Sequence, residues 1–142
     1  MITRISSDMV KLMHELIAQE TGGKVGIKDE GLLNSALENV FQTFDGVELY
    51  PSKQEKGAML GYSLISNHAF IDGNKRIGMH IMILFLELNG IHLELEDQNI
   101  IDAGMGVANG TMKYDDLLEW IHKYEKWLIL GFFTYIDNRT LW

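Results

Sequence analysis

The stretch from Lys75 to Leu88 constrains this chain most. Ile77, Met79, Ile81, Met82, Ile83, Leu84, Phe85, Leu86 and Leu88 put apolar side chains on nearly every side of one helix. A helix apolar all round has no face for water and belongs at the centre of a fold. Asn89-Gly90 closes it with a left-handed cap. The run falls short of the roughly 18 apolar residues that would suggest a membrane span, so it reads as a core helix.

The rest of the chain predicts helices to cover this one. Met9, Val10, Leu12, Met13, Leu16 and Ile17 recur at helical spacing over about Ser7 to Glu20, and Thr21-Gly22-Gly23 ends that run. Gly22 to Lys28 is a glycine-spaced loop, followed by a helix over about Asp29 to Phe41. Asp45-Gly46 signals a turn, and Val47–Tyr50 is briefly strand-like. Ser52-Lys53-Gln54-Glu55 has the form of a capping box, opening a helix to about Ser66. Further helices are expected over Gln98 to Ala108 and Tyr114 to Leu130. Ile91–Glu96 alternates but is too short and isolated to build a sheet. The expected class is all-α, a bundle of about six helices around the buried central one.

With 142 residues, the chain suits one domain, expected over 1–126. Residues 127–142 form an apolar extension, which either packs on the same domain or contacts a partner. The net charge of −8 disfavours binding to nucleic acid, because the acidic surface repels the phosphate backbone. Without cysteine there are no disulfides, zinc–thiolate sites or thiol nucleophiles. Met1-Ile2-Thr3-Arg4-Ile5 lacks the apolar run of a signal peptide, so a cytoplasmic protein with no membrane association is expected.

The chemistry concentrates in His68-Ala69-Phe70-Ile71-Asp72-Gly73-Asn74-Lys75-Arg76, just before the central helix. A helix N-terminus offers unpaired N–H groups and partial positive charge, which together suit a phosphate. Gly73 lets the backbone approach an anion, and Lys75 and Arg76 add full charge. Asp72 is a hard oxygen donor of the kind magnesium uses beside substrate phosphates. His68 can take a proton near neutral pH, as a general base for a hydroxyl must. A helix start with Asp, Gly and Asn is also an ordinary cap, and a lone histidine is more often structural than catalytic. On the residues alone, cap and anion site both stand.

The same string resembles the Fic signature, His-x-Phe-x-Asp/Glu-Gly-Asn-Gly/Lys-Arg, at all seven defined positions. Gly22-Gly23, Asp29-Glu30-Gly31-Leu32-Leu33, the segment Thr43 to Pro51 and Phe85 to Gly90 are similar to the death-on-curing branch of that family. The resemblance covers roughly residues 1 to 125. It implies a toxin held by a separate antitoxin chain. By position, His68 would be the base and Phe70 a buried anchor of the loop. Asp72 would ligate Mg2+, while Gly73, Asn74, Lys75 and Arg76 would hold a phosphate of ATP or another nucleotide.

Lys75 replaces the Gly frequent in AMP-transferring members, and Met79 replaces their second Arg. Both are similar to the death-on-curing branch, in which the nucleotide binds reversed and the γ-phosphoryl reacts. The implied activity is a protein kinase-like transfer to a threonine of elongation factor Tu, arresting translation. The alternatives are AMP transfer by the same residues, or a nucleotide-binding module with little catalysis. Self-inhibited relatives carry Ser/Thr-x-x-x-Glu, and no Ser or Thr here stands four residues before a Glu. His14, His80, His92 and His122 are read as standing outside the work of His68. Met79, Met82, Met105 and Met112 are read as core filler, and Glu94, Glu96 and Asp97 as a solvated acidic patch.

Overall fold

The computed structural model describes residues 1–129 and 134–137, and their side chains as far as residue 126. Six helices make the frame: α1 (Ser7–Thr21), α2 (Glu30–Asn39), α3 (Lys53–Asn67), α4 (Asn74–Leu88), α5 (Asp97–Ala108) and α6 (Tyr114–Tyr124). The all-α bundle is therefore as expected, with α4 at its centre. Ile77, Met79, Ile81, Met82, Phe85 and Leu86 of α4 are buried against residues from the other helices.

The tightest packing is between α3 and α4, and small residues allow it. A Cβ added at Gly78 would stand 2.5 Å from Ile65 Cγ1 and 3.2 Å from the Gly61 carbonyl. That carbonyl is backbone and cannot swing aside, so the two helices approach only because position 78 carries no side chain. Leu60, Leu64 and Ile65 of α3 fill the space on either side.

Local capping follows the sequence closely. Ser6, Asp29 and Ser52 each accept a main-chain N–H through the side chain, from Met9, Leu32 and Glu55 respectively. Beyond α4 the left-handed residue is Gly90, at φ 83°. Asn89 is buried and uses its amide on the Thr3 backbone, accepting from Thr3 N–H at 2.7 Å and donating to Thr3 O at 3.0 Å. The N-terminal segment is thereby tied to the end of the central helix.

Four expectations are corrected. Ile91–Glu96 does enter a sheet: β3 (His92–Leu93) pairs antiparallel with β4 (Glu125–Ile129), which pairs with β5 (Thr134–Asp137). The sixth helix also stops at Tyr124, six residues short of Leu130, because Glu125 is extended at φ −66°, ψ 134°. The buried Glu125 carboxylate accepts from Gln54 Nε2 at 2.8 Å, which holds the chain against α3 where the strand begins. How the side chains of the 127–142 extension pack lies outside the described residues. Met105 is exposed and is not core filler. Glu94 pairs with Lys126 at 2.7 Å, and the Glu96 side chain takes part in capping α5, so that acidic patch is partly structural.

A second strand pair, β1 (Thr43–Phe44) and β2 (Val47–Glu48), forms a hairpin around Asp45-Gly46. Beneath it lies Lys56, only 1% exposed, whose ammonium pairs with Glu48 at 3.0 Å and donates to the Tyr50 carbonyl. A lysine in a helix interior gave no sequence signal of burial. Its neighbours explain it, since one acceptor comes from the hairpin at Glu48 and the other from Tyr50 just after it.

Candidate active site

The loop between α3 and α4 carries the motif, and several independent contacts hold its shape. His68 caps α3 in the left-handed region, at φ 52°, ψ 50°. That conformation is uncommon for a residue with a Cβ and turns the chain sharply out of the helix. The His68 side chain is exposed and makes no hydrogen bond or ion pair among the described residues.

Two residues on, Phe70 is 2% exposed and sits in the core. Asn74 clamps it: the Asn74 side chain accepts from Phe70 N–H and donates to the Phe70 carbonyl, each at 3.0 Å. Both ends of the amide are engaged inside the loop, and the Asn74 main-chain N–H is left for an anion.

The glycine-spaced segment after α1 splints the loop from the other side. Lys28 and Asp29 N–H both donate to the Ala69 carbonyl, at 2.8 and 3.0 Å, and Ile71 N–H donates to Gly26 O at 3.2 Å. Ile27 and Phe70 face each other as an antiparallel bridge. Sequence reasoning took residues 22–28 for a connecting loop, because a single bridge leaves no periodic pattern to read.

His14 is the residue sequence reasoning missed. It is 4% exposed on α1, and its ring stacks on Phe70 with centroids 4.0 Å apart and planes at 14°. Its Nε2 lies 2.7 Å from the Asp72 carbonyl oxygen. A carbonyl can only accept, so Nε2 carries the proton and donates. The one available signal was its spacing. Val10, His14 and Ala18 lie four apart on one buried face, and a buried histidine there needs a polar partner.

Gly73 stands at φ 77° and begins α4 without a side-chain cap. The first helical bond runs from Ile77 N–H to Gly73 O at 2.9 Å, so the N–H groups of Asn74, Lys75 and Arg76 have no helical carbonyl. Lys75 and Arg76 are exposed, and neither has an ion-pair partner among the described residues. Free main-chain donors, a helix dipole and two uncompensated cations thus meet at one end of α4.

The Asp72 carboxylate accepts from Gly73 N–H at 2.9 Å and from Lys24 N–H at 3.3 Å. Among the described residues no group of three or more acidic or histidine ligands could cage a metal. A single exposed carboxylate fits magnesium, which completes its shell with nucleotide oxygens and water.

Position 79 faces away from all this. Met79 is 1% exposed, with its side chain against Gly104 of α5. His80, one turn after Arg76, is half-buried, and burial followed by the Arg76 cation lowers its pKa below the usual 6.5. Both effects favour its neutral form, so His80 adds little positive charge to that face of α4.

Residues 4–86 match the model of the Fic/DOC family. The chain is 42% identical over 72 residues to the protein called Toxin Doc from Mycolicibacterium smegmatis, covering 51% of this chain and 55% of that one. It thus spans just over half the length of that relative. It is 24% identical over 119 residues to the protein called Protein kinase doc from Escherichia phage P1, covering 84% of this chain and 93% of that one.

Proposed function

Since the chain belongs to the Fic/DOC family, on its Doc side, we propose that it is a toxin that transfers the γ-phosphoryl group of ATP to a protein hydroxyl. The target on this reading is a threonine of elongation factor Tu, so that translation stops, and the reaction takes place in the cytoplasm. The observation that carries the choice of phosphoryl over AMP transfer is the end of α4. Two cations stand there without ion-pair partners among the described residues, and one turn further on Met79 is buried and burial favours the neutral form of His80.

An enzyme that transfers AMP must hold the outer phosphates away from the reacting centre. Without a donor at position 79, that orientation forgoes a charge-assisted contact worth about 1.5–3 kcal/mol. The loss is roughly a 10–150-fold bias, since about 1.4 kcal/mol is tenfold. With the γ-phosphate at the α4 N-terminus, the Asn74, Lys75 and Arg76 amides and both cations face the most highly charged end of the nucleotide.

In the reaction a threonine oxygen attacks the γ-phosphorus. The new O–P bond forms as the bond to the β,γ-bridging oxygen breaks, and ADP leaves. The hydroxyl proton passes to an imidazole nitrogen of His68, which is exposed and has no competing partner. Asp72 would hold magnesium, whose charge offsets that of the nucleotide phosphates. Phosphoryl transfer depends mainly on positioning and charge stabilisation, and this loop offers both.

A toxin needs restraint, and an antitoxin from a separate chain would supply it. Met9, Leu12 and Leu16 lie exposed along α1, with exposed Val25 and Ile71 nearby in sequence to the motif loop and its splint. An amphipathic helix of a partner would cover such a stripe.

The test uses purified protein, magnesium, elongation factor Tu and ATP labelled at either the γ- or the α-phosphate. Label from γ-labelled ATP alone is expected, with His68→Ala inactive. Transfer of α-label would restore the AMP transferase. Nucleotide binding with no transfer of either label would make the protein a binding module.

A further inference from the structure

We propose that His14 is a positioning residue for this transfer: from α1 it holds the Asp72–Gly73 peptide, and so sets where the Asp72 carboxylate and the α4 amides stand. The inference rests on the function proposed above, but its geometry is independent of the substrate. One side chain reaches three motif positions. It stacks on Phe70 at 4.0 Å, donates to Asp72 O at 2.7 Å, and has its Nε2 3.6 Å from where a Cβ on Gly73 would stand.

Packing alone does not account for a histidine here. Its neighbours on the same face of α1, Val10 and Ala18, are buried and apolar. A histidine in their row loses its water and needs a hydrogen bond in return, which an aliphatic residue would not. The bond it makes goes to a particular carbonyl. Asp72 O is the acceptor that the Arg76 N–H would take if α4 began one residue earlier. With that carbonyl held by His14 and Gly73 at φ 77°, the helix starts from Gly73 O instead. The Arg76 amide is thereby left for an anion.

The same grip fixes the Asp72 carboxylate. Its two oxygens accept from Gly73 and Lys24 N–H, and one of those donors belongs to the peptide that His14 holds. Losing the grip lets that peptide rotate, and the carboxylate and the amide cradle move together. Partners that orient a metal-binding side chain typically contribute roughly 10–100-fold to affinity or activity.

Two substitutions separate the donor from the packing. His14→Phe keeps an aromatic ring on Phe70 but has no N–H. His14→Gln gives up the ring but keeps a donor at similar reach. The readouts are kcat and KM for γ-label transfer, and hydrogen exchange of the Gly73 amide in nucleotide-free protein. His14→Phe should lower kcat roughly 10–100-fold with much less change in KM, and should speed Gly73 exchange. His14→Gln should recover most of both. A His14→Phe enzyme with the wild-type rate and exchange overturns the proposal, as does a His14→Gln variant as impaired as His14→Phe. Should His14→Phe fail to fold, His14→Gln still decides, since loss of its transfer rate or Gly73 protection overturns the proposal. If the wild-type protein transfers no label, the functional reading falls, and the exchange comparison alone decides the role of His14.

Discussion

Asn74 and Phe70 are joined by two hydrogen bonds at 3.0 Å each, side-chain amide to main-chain N–H and carbonyl, as if the amide were a neighbouring strand. Removing it in Asn74→Ala leaves both Phe70 groups unpaired in a half-buried setting. The expected loss of stability is about 1–3 kcal/mol, from two neutral hydrogen bonds of roughly 0.5–1.5 kcal/mol each. Asn74→Asp should be no better, because a carboxylate oxygen would replace the donor facing the Phe70 carbonyl. Equilibrium urea unfolding of both variants checks this. An Asn74→Asp protein as stable as wild type would show that the clamp matters little.

For His68 the two readouts should separate. The side chain is exposed and unbonded among the described residues, so His68→Ala should cost little stability. Loss of a general base should slow transfer by about 10²–10⁴. Nucleotide affinity, measured by calorimetry, should hold, because the free phosphate donors lie at 74–76. Weakened ATP binding with an undiminished single-turnover rate would assign His68 to binding and not to proton transfer.

Lys56 gives a prediction about the hairpin. Its ammonium is buried, while its partner Glu48 keeps 49% of its side chain exposed. The pair is therefore asymmetric. Glu48→Gln should cost less than about 1 kcal/mol, since water screens that side. Lys56→Ala should cost about 2–4 kcal/mol, through a cavity and an unpaired Tyr50 carbonyl. Lys56→Met should fall between them. Thermal or urea unfolding ranks the three, and equal losses for Glu48→Gln and Lys56→Ala would contradict the asymmetry.

The central helix and the nine-residue motif were legible because both are local: one is a composition, the other a string. The Ser52 cap was legible for the same reason, since its partners lie only three residues apart. What stayed hidden depends on partners far along the chain. Strand β3 exists because Glu125–Ile129 pairs with it some thirty residues later, and a short alternating run cannot announce such a partner. The helix read through to Leu130 failed similarly, since an apolar run such as Trp127–Phe133 fits helix and strand alike. His14 was dismissed as bland because its partner, Asp72 O, lies 58 residues away. The motif supplied the reactive groups in order, but its neighbours α1 and 24–29 hold them in place.

His80 offers a pH-dependent test of the charge at the α4 N-terminus. Burial is the larger cause of its lowered pKa, the Arg76 cation comes next, and Asp97 opposes both. The NMR titration midpoint of His80 should therefore lie below 6.5 in the folded protein. Arg76→Gln should raise it without fully restoring it, because burial remains, and Asp97→Asn should lower it further. The sign for stability follows from proton counting. Between 6.5 and the lower folded midpoint, the unfolded chain binds a proton that the folded one does not. The contribution of His80 is thus complete above that range and is lost as pH falls through it, and His80→Gln should flatten this part of the stability profile. A phosphate bound against Arg76 offsets the same cation, so adding nucleotide should move the His80 midpoint upward, as Arg76→Gln does. A midpoint that Arg76→Gln shifts but nucleotide leaves in place would mean that the phosphates bind away from Arg76, and the anion site would have to be sought elsewhere.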